Sequence, residues 1–313
     1  MVVLIDEEPV AEGVADRFRE DLLDAGIGDG KHAFAIDIPE KFADGKEYEI
    51  KVVIKNLEKE LGSVKFSKRY EVIFFANCPI CERRVKFIST DDYYSCRDVL
   101  FSPDCPLNRC VTRERAVAYV LFREIPKQKL FEEKIIYEQS PALRGLSLLL
   151  KKHAKHYHAC GYYPDRNFGE YVNGLRNENL EELTLPDESV DVWIHLDVLE
   201  HVFDPIRAIR EIYRTLKKGG ICIFTTPTQP GLLESKQVAL KMPDGTVKII
   251  GNPEYHGNPQ NPKQGSLVTW KYGYDLPYLI QSATGFDVEV FRFQSFEIAV
   301  CGLYTEVYLC RKR

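Results

Sequence analysis

The middle of this chain predicts an α/β fold with a parallel sheet, on three observations. Val190–Leu196 is a short β-branched and apolar run, the mark of a strand buried on both faces. Ile206, Ile209, Tyr213 and Leu216 recur at three- and four-residue spacing, which gives a helix one apolar stripe. Residues 221–225 form a second apolar run. Strand, helix and strand in that order make a βαβ unit, whose two strands lie parallel.

The punctuation between these elements agrees. Asp204 is placed to cap the helix, and Pro205 occupies its first position, where a missing N–H costs nothing. Lys217 and Lys218 fall in the predicted last turn, and Gly219-Gly220 is the predicted stop. Ligands of a parallel sheet collect beyond the carboxyl ends of its strands. Those ends carry Asp197, Glu200 and His201 after the first strand, and residues 225–228 after the second. On the residues alone, a polar loop entering a helix is the competing reading.

A length of 313 residues suggests about two domains, with ample material for a core. Hydrophobic residues make up 44% and charged residues 28%, the proportions of an ordinary soluble protein. The formal net charge of -5 implies no general attraction to nucleic acid, and none is expected as a partner. No apolar run approaches the roughly 20 residues of a bilayer span, and no basic n-region precedes the first apolar residues. The chain reads as cytoplasmic. Nine cysteines, several in apolar runs (Cys222, Cys301, Cys310), suit reduced thiols better than a disulfide scaffold. The sequence carries no signal for an oligomeric state.

Three segments follow from composition. Residues 1–67 read as a β-rich, sandwich-like module, with alternation at 32–39 and 47–54, a turn at Asp44-Gly45 between them, and another at 26–30. Residues 68–126 form a cysteine-rich segment with a linker helix over 112–125, starting at a Thr112 cap. Cys78 and Cys81 form a CxxC knuckle, and Cys105 with Cys110 supplies a second pair. Four thiolates close a tetrahedral zinc site, and a metal would let a segment with little core hold its shape. The second pair is CPLNRC rather than CxxC, so Cys96 as a ligand, or free buried thiols in place of a site, stay open. Residues 127–313 form the third segment, after Pro126 breaks the chain.

LPDESVDV, DVLEHV and LKKGG, within residues 185–227, together resemble the middle of a class I S-adenosylmethionine-dependent methyltransferase: its fourth strand, the following helix and its fifth strand. The resemblance implies a Rossmann-like seven-stranded methyltransferase sheet over 127–313, closed by an antiparallel hairpin that residues 286–293 and 298–310 would supply. It implies S-adenosylmethionine as cofactor. Residues 18–54 resemble a β-sandwich module found beside glycosyltransferase and methyltransferase domains in glycan-assembly proteins. The cysteine unit with its helix resembles the lead-in of some methyltransferase domains.

The family's first strand ends in an acidic-x-Gly-x-Gly-x-Gly turn. Here residues 134–137 are the candidate strand, and Glu138 and Gly145 match that pattern while Ser140 and Ala142 stand near the other glycines. The second strand, from His156, leads to CGYYPD, where Gly161 stands near the expected ribose-binding acid and Tyr162 or Tyr163 offers a ring to the adenosine. Asn179-Leu180 stands where the family places Asp-Leu against adenine. The resemblance thus implies a cofactor pocket of Glu138, Gly145, Tyr162, Asn179, Leu180 and Asp197. His153, His156 and His158 fall on a helix end and a strand, face different ways, and argue against a metal there.

Residues 229–271 form a long insert rich in proline, glycine and asparagine, a length at which loops are usually functional. Its PEYHGNP resembles a motif of a glycan-linked methyltransferase subgroup that lies over the active-site mouth. That resemblance implies an acceptor contact by Tyr255, His256 and Trp270, with His256 as general base and His201 as the rival base. The expected function is methyl transfer to a sugar or glycan hydroxyl, the acceptor being a glycan or small molecule; the alternative is a catalytically inactive scaffold on the same fold. A nucleotide-dependent oxidoreductase would need a GxGxxG turn, and no predicted strand is followed by one.

Overall fold

The computed structural model describes residues 1–16, 29, 34, 36, 38–42, 44–55, 57, 59–69, 72–89, 96–142, 144–258 and 265–313. They fall into two compact units, Met1–Val72 and Ile73–Arg313.

In the first unit, β1 (Val2–Ile5), β2 (Glu8–Glu12), β3 (Asp44–Ile54) and β4 (Lys59–Arg69) form an antiparallel sheet in the order β2-β1-β3-β4. Val3, Ile5 and Ile50 are its buried centre, and Tyr48, Val52 and Phe66 pack against them. Tyr48, Ile50 and Val52 are spaced by two, so the pleat puts all three on one face. The expected hairpin is different in one respect. Asp44-Gly45 lies inside β3, and the connection in the pairing of β3 and β4 is residues 55–58. The alternating run at 32–39 and the turn at 26–30 fall largely outside the described residues.

The second unit opens with the paired strands β5 (Val72–Asn77) and β6 (Arg84–Ser89), then the short α1 (Cys96–Val99), α2 (Thr112–Glu124) and α3 (Lys127–Glu133). Val111, not Thr112, is the cap of α2. The Glu114 carboxylate accepts the Val111 N–H at 3.0 Å, and Thr112 Oγ1 accepts from Arg115 instead. The chain then runs through β7 (Ile135–Gln139), α4 (Gly145–His153), β8 (His156–Gly161), β9 (Tyr171–Val172), β10 (Leu175–Asn177), β11 (Val190–Leu196), α5 (Pro205–Thr215) and β12 (Leu216–Thr225). Three short ladders occupy the insert: β13 (Lys236–Gln237) with β18 (Trp270–Lys271), β14 (Ala239–Lys241) with β15 (Val247–Ile249), and β16 (Tyr255–His256) with β17 (Ser266–Leu267). Helix α6 (Leu276–Ala283) and strands β19 (Asp287–Phe291) and β20 (Val307–Arg311) close the chain.

A mixed sheet of eight strands, ordered β19-β20-β12-β11-β7-β8-β10-β9, organises this unit. Strands β7, β8, β10, β11 and β12 are parallel, and β20 runs antiparallel to both β12 and β19. The eighth strand beyond the expected seven is β9, two residues antiparallel to β10. Alternate residues of the central strands serve opposite cores. Ile194 and Ile223 join Val117, Leu121 and Leu150, whereas Trp193 and Phe224 join Ile209, Ile212 and Ile280. Burial on both faces is why β11 reads as an unbroken apolar run. Cys222 and Cys310 are buried in strands as expected, but Cys301 is buried in the loop before β20.

Helix α5 starts as its sequence dictates, with Asp204 Oδ1 accepting from Arg207 N–H at 3.0 Å and Pro205 at the first position. It stops earlier than the lysines imply. Leu216 already pairs with Val190, and residues 217–220 loop out before Ile221 resumes the ladder opposite Val192. Gly219 takes φ +73° there and donates its N–H to the Lys312 carbonyl at 2.8 Å. A side chain would be strained at that angle.

Candidate functional site

Asp197 is the first residue after β11 and sits at φ +53°, a backbone angle that Asp tolerates better than most. Its N–H donates to the Thr225 carbonyl at 2.9 Å, and its Oδ1 accepts from Thr225 Oγ1 at 2.8 Å. Its Oδ2 pairs with the guanidiniums of Arg97, from α1, and Arg113, from α2, the latter at 3.4 Å. Burial alone would raise the carboxyl, but the two arginines and the Thr225 hydroxyl hold it down at about 2. The cysteine-rich segment is thereby fastened to the carboxyl end of the sheet.

The turn after β7 is fastened to the same segment. Gly145 N–H donates to the Leu107 carbonyl at 2.7 Å, and Gly145 takes φ +53°. A Cβ there would strike the Glu114 carboxylate, which pairs with Arg144 at 2.9 Å. Glu138, the next-to-last residue of β7, is fully enclosed and accepts from Ser147 Oγ at 2.5 Å and Tyr157 OH at 2.6 Å. Burial outweighs both bonds and pushes its carboxyl from 4.5 up to about 7. A raised acid favours the folded state below pH 4.5 and loses that advantage as pH climbs through 7. We expect the stability gap between wild type and Glu138→Gln to shift against wild type by about 3 kcal/mol from pH 4.5 to 7. Urea unfolding at several pH values measures it; parallel curves would refute a buried, protonated Glu138.

Beyond β8, a cavity of about 550 Å³ is lined by Tyr162, Tyr163, Pro164, Asp165, Arg166 and Asn173, among others. Tyr162 is 47% exposed and stacks on Phe168 with ring centroids 6.1 Å apart. Asn177, which no motif or spacing singles out, shapes this loop. Its Oδ1 accepts from Tyr163 N–H at 2.9 Å, and its Nδ2 donates to the carbonyls of Tyr163, Arg166 and Asn167. Asn179 Oδ1 accepts from Glu181 N–H at 3.0 Å, and Leu180 is buried in the core. At the end of β7, the buried Gln139 Oε1 has no hydrogen-bond partner among the described residues.

The third group lies beyond β11 and β12. The turn Leu199–His201 places Glu200 in the interior at 2% exposure. Its Oε2 accepts from Thr226 Oγ1 at 3.0 Å, while its Oε1 has no hydrogen-bond partner among the described residues. That oxygen faces two imidazoles, His201 Nε2 at 3.9 Å and His256 Nδ1 at 3.7 Å. The insert brings His256 there by docking on the turn. Thr269 donates its N–H and its hydroxyl to the Glu200 carbonyl, at 2.7 and 3.0 Å, and Trp270 Nε1 donates to the Phe203 carbonyl at 3.2 Å. The Glu200 carboxylate, ahead of Glu254, raises the pKa of His256.

A cavity of about 340 Å³ opens beside this group, lined by Arg97, Glu200, Gln229, Glu254, His256, Trp270, Lys271 and Tyr304 with two further residues. His256 and Trp270 meet there. Tyr255 does not line it: successive residues of a strand point to opposite sides, and Tyr255 is 46% exposed. His201 stands behind His256, with ring centroids 5.1 Å apart.

The cysteines converge. Cys78 Sγ and Cys105 Sγ each lie 3.6 Å from Cys110 Sγ, far beyond a disulfide bond. Cys81 faces Cys78 and Cys105 in the same cluster. The turn of the knuckle is closed by Glu82 N–H donating to the Cys78 carbonyl and Cys78 N–H donating to the Arg83 carbonyl. The Cys105 contact and burial push the Cys110 thiol up to about 12. The side chain of Cys96 lies outside the described residues.

Residues 153–224 match the family model of the methyltransferase domain. The match runs from the end of α4 to Phe224 and so begins after Glu138 and Gly145. A protein of Mycolicibacterium smegmatis named "Probable S-adenosylmethionine-dependent methyltransferase" is 42% identical over 55 residues, 18% of this chain and 21% of its own. A Mycobacterium tuberculosis protein named in the same words is 45% identical over 51 residues, 16% and 19% of the two chains. The chain thus matches about a fifth of the length of these relatives. Among solved structures, an S-adenosylmethionine-dependent methyltransferase of Mesorhizobium loti aligns at TM-score 0.41 and 15% identity, over 63% of this chain and 98% of that one. The 1,6-didemethyltoxoflavin-N1-methyltransferase of Burkholderia thailandensis aligns at 0.39 and 14%, over 64% and 78%.

Proposed function

We propose that this protein is an S-adenosylmethionine-dependent methyltransferase whose acceptor is a hydroxyl of a sugar or glycan. The observation that carries the reading is the 340 Å³ cavity at the carboxyl ends of β11 and β12, walled by Glu200 and His256. Its lining alternates charged and amide groups with the Trp270 ring, a combination suited to a sugar, which has hydroxyls on its edge and C–H groups on its face. The resemblance of residues 18–54 to a module of glycan-assembly proteins supports the same acceptor class. No helix among the described residues is long and apolar enough to cross a membrane, and a cytoplasmic setting belongs to this reading.

The residues present fit the cofactor. The 550 Å³ cavity past β8 offers Tyr162 and Tyr163 to a base and Asp165 to a ribose, in place of the missing acid near Gly161. The buried, unpartnered Gln139 Oε1 asks for a donor such as the amino group of a methionine moiety. Leu180 and the Asn179 amide would line the adenine side, with Glu138 and Gly145 shaping the first turn and Asp197 the wall between. When bound, the cofactor supplies an electrophilic methyl group on a sulfonium.

The chain's own part is to orient the acceptor and take its proton. His256 is the base on this reading: Glu200 stabilises its charged form and Glu254 holds its far nitrogen at 3.3 Å. His201 is its support. The inactive-scaffold alternative is not favoured, because a scaffold has no use for an enclosed carboxylate oxygen whose nearest polar neighbours are two imidazoles beyond hydrogen-bond distance. Calorimetry with S-adenosylmethionine, then mass spectrometry of sugar acceptors after incubation, tests the reading. His256→Ala should lower turnover by about 10²–10³-fold with cofactor affinity unchanged. Unchanged turnover would remove His256 from the mechanism, and no cofactor binding at millimolar concentration would sink the function.

We also propose that Cys78, Cys81, Cys105 and Cys110 hold a structural zinc ion. Four sulfurs about 2.3 Å from a central ion stand ~3.8 Å apart at tetrahedral angles, close to the 3.6 Å separations here.

A further inference from the structure

We infer that Glu200, His201 and His256 form a second metal site, for a divalent transition-metal cation, at the floor of the acceptor cavity. Glu200 Oε1, His201 Nε2 and His256 Nδ1 lie within 4.8 Å of one another. All three atoms can ligate once His256 is neutral, a cation then taking the place of the proton that Glu200 favours on its Nδ1, and each for a stated reason. The other carboxylate oxygen of Glu200 is occupied by the Thr226 hydroxyl, which turns the unpartnered Oε1 toward the imidazoles. His201 Nδ1 lies 2.8 Å from the Leu267 carbonyl, which can only accept, so Nδ1 carries the hydrogen and Nε2 keeps its lone pair. His256 Nε2 lies 3.3 Å from Glu254 Oε1, again an acceptor, which leaves Nδ1 bare toward Glu200. Glu254 is itself held by Lys271 at 2.7 Å. A ring nitrogen tied to a carbonyl or carboxylate, with the opposite nitrogen pointing at a shared centre, is how ligating histidines are oriented.

The spacing suits a cation after a small contraction. Ligand bonds of about 2.1 Å at 90–109° put neighbouring ligand atoms ~3.0–3.4 Å apart. The Glu200 oxygen stands 3.7 and 3.9 Å from the two nitrogens, so each must close by about half an ångström. The two nitrogens, within 4.8 Å of one another, must close by up to about 1.5 Å, and His256 sits on the two-residue ladder of the insert. Two imidazoles and one carboxylate suit manganese, iron, cobalt, nickel or zinc rather than magnesium or calcium. Three protein ligands leave positions open, and the cavity adjoins them. An acceptor hydroxyl oxygen, or two neighbouring ones, would occupy those positions, with the proton lost more readily from a bound oxygen. On this view the histidines are ligands, the cation would make the bound hydroxyl more acidic, and its proton would pass to solvent water in the open cavity. That role rests on the methyltransferase reading; the binding of the ion does not.

The test is a calorimetric titration with Co²⁺ alone of protein shown by metal analysis to carry a single equivalent of zinc, held at its cysteine cluster. We expect one further equivalent, weakened about 100-fold or more in Glu200→Gln and in His201→Ala, and retained in Tyr255→Ala. Circular dichroism melts show whether each variant is folded, and Glu254→Gln, which changes the group behind His256 and no ligand atom, should weaken binding only about 10-fold. A folded Glu200→Gln that binds Co²⁺ as wild type does, or a wild type that takes up none at millimolar Co²⁺, overturns the site. Cobalt bound with these sensitivities but without methyl transfer to any sugar leaves the site standing and counts against the methyltransferase reading alone.

Discussion

Replacing Asp197 by alanine should destabilise the second unit by about 3 kcal/mol, because it takes from two mostly enclosed guanidiniums their buried carboxylate and leaves them only the half-exposed Asp98. The side chains of Arg97 and Arg113 are only 10% and 20% exposed. The depressed carboxyl gives an independent check. Its folded value of about 2 against 3.8 corresponds to about 2 kcal/mol, present above pH 3.8 and lost as pH falls through 2. Urea denaturation of the alanine variant at neutral pH measures the larger figure. A loss under 1 kcal/mol would mean that the arginines reach water once released, and that the contact is incidental to holding the cysteine-rich segment.

A larger loss should follow metal removal. If the four sulfurs bind zinc, purified protein carries about one tightly held equivalent. Stripping it, or changing Cys110 to serine, should cost at least ~5 kcal/mol and lower Tm by more than ~10 °C. Cys78 and Cys110 are buried among the same residues as Phe87, Leu121 and Ile136, so damage there spreads into the sheet's main core. Metal analysis by mass spectrometry with thermal melts before and after chelation decides this. Protein that is metal-free as purified and melts unchanged would leave the cluster as four packed thiols.

How much of this was legible before any coordinates depends on the range of the interaction involved. The unit around β11, α5 and β12 was legible because its signals are local: a doubly buried strand, a capping aspartate and proline, an apolar stripe. The reach of α5 was misjudged for a local reason too, since Lys217, Lys218 and the two glycines suit a loop-out as well as a helix end. The pairing of β3 with β4 was hidden because Lys59–Arg69 is largely polar and exposed, and its alternation carries little apolar contrast. Sequence resemblance brought His201 and His256 forward, and the structure sets them beside one carboxylate. Arg97 and Arg113 gave no sign, because ion pairs to a residue 100 and 84 positions further along the chain leave no periodicity. The orphaned Glu200 oxygen was equally invisible. An unmet hydrogen bond is a property of packing, which no spacing rule reports.

The burial of Glu138 has a counterpart in His195, which stacks on Phe224 at 4.5 Å with neither ring nitrogen hydrogen-bonded. Enclosure drives that imidazole from 6.5 down to about 3. On folding, the carboxyl takes up a proton that it would otherwise shed, and the imidazole sheds one that it would otherwise keep. From pH 4.5 to 6.5 the two transfers cancel, and the pair lends the fold a plateau in mild acid. Below that window the histidine is unopposed, and acid alone should open the sheet from within.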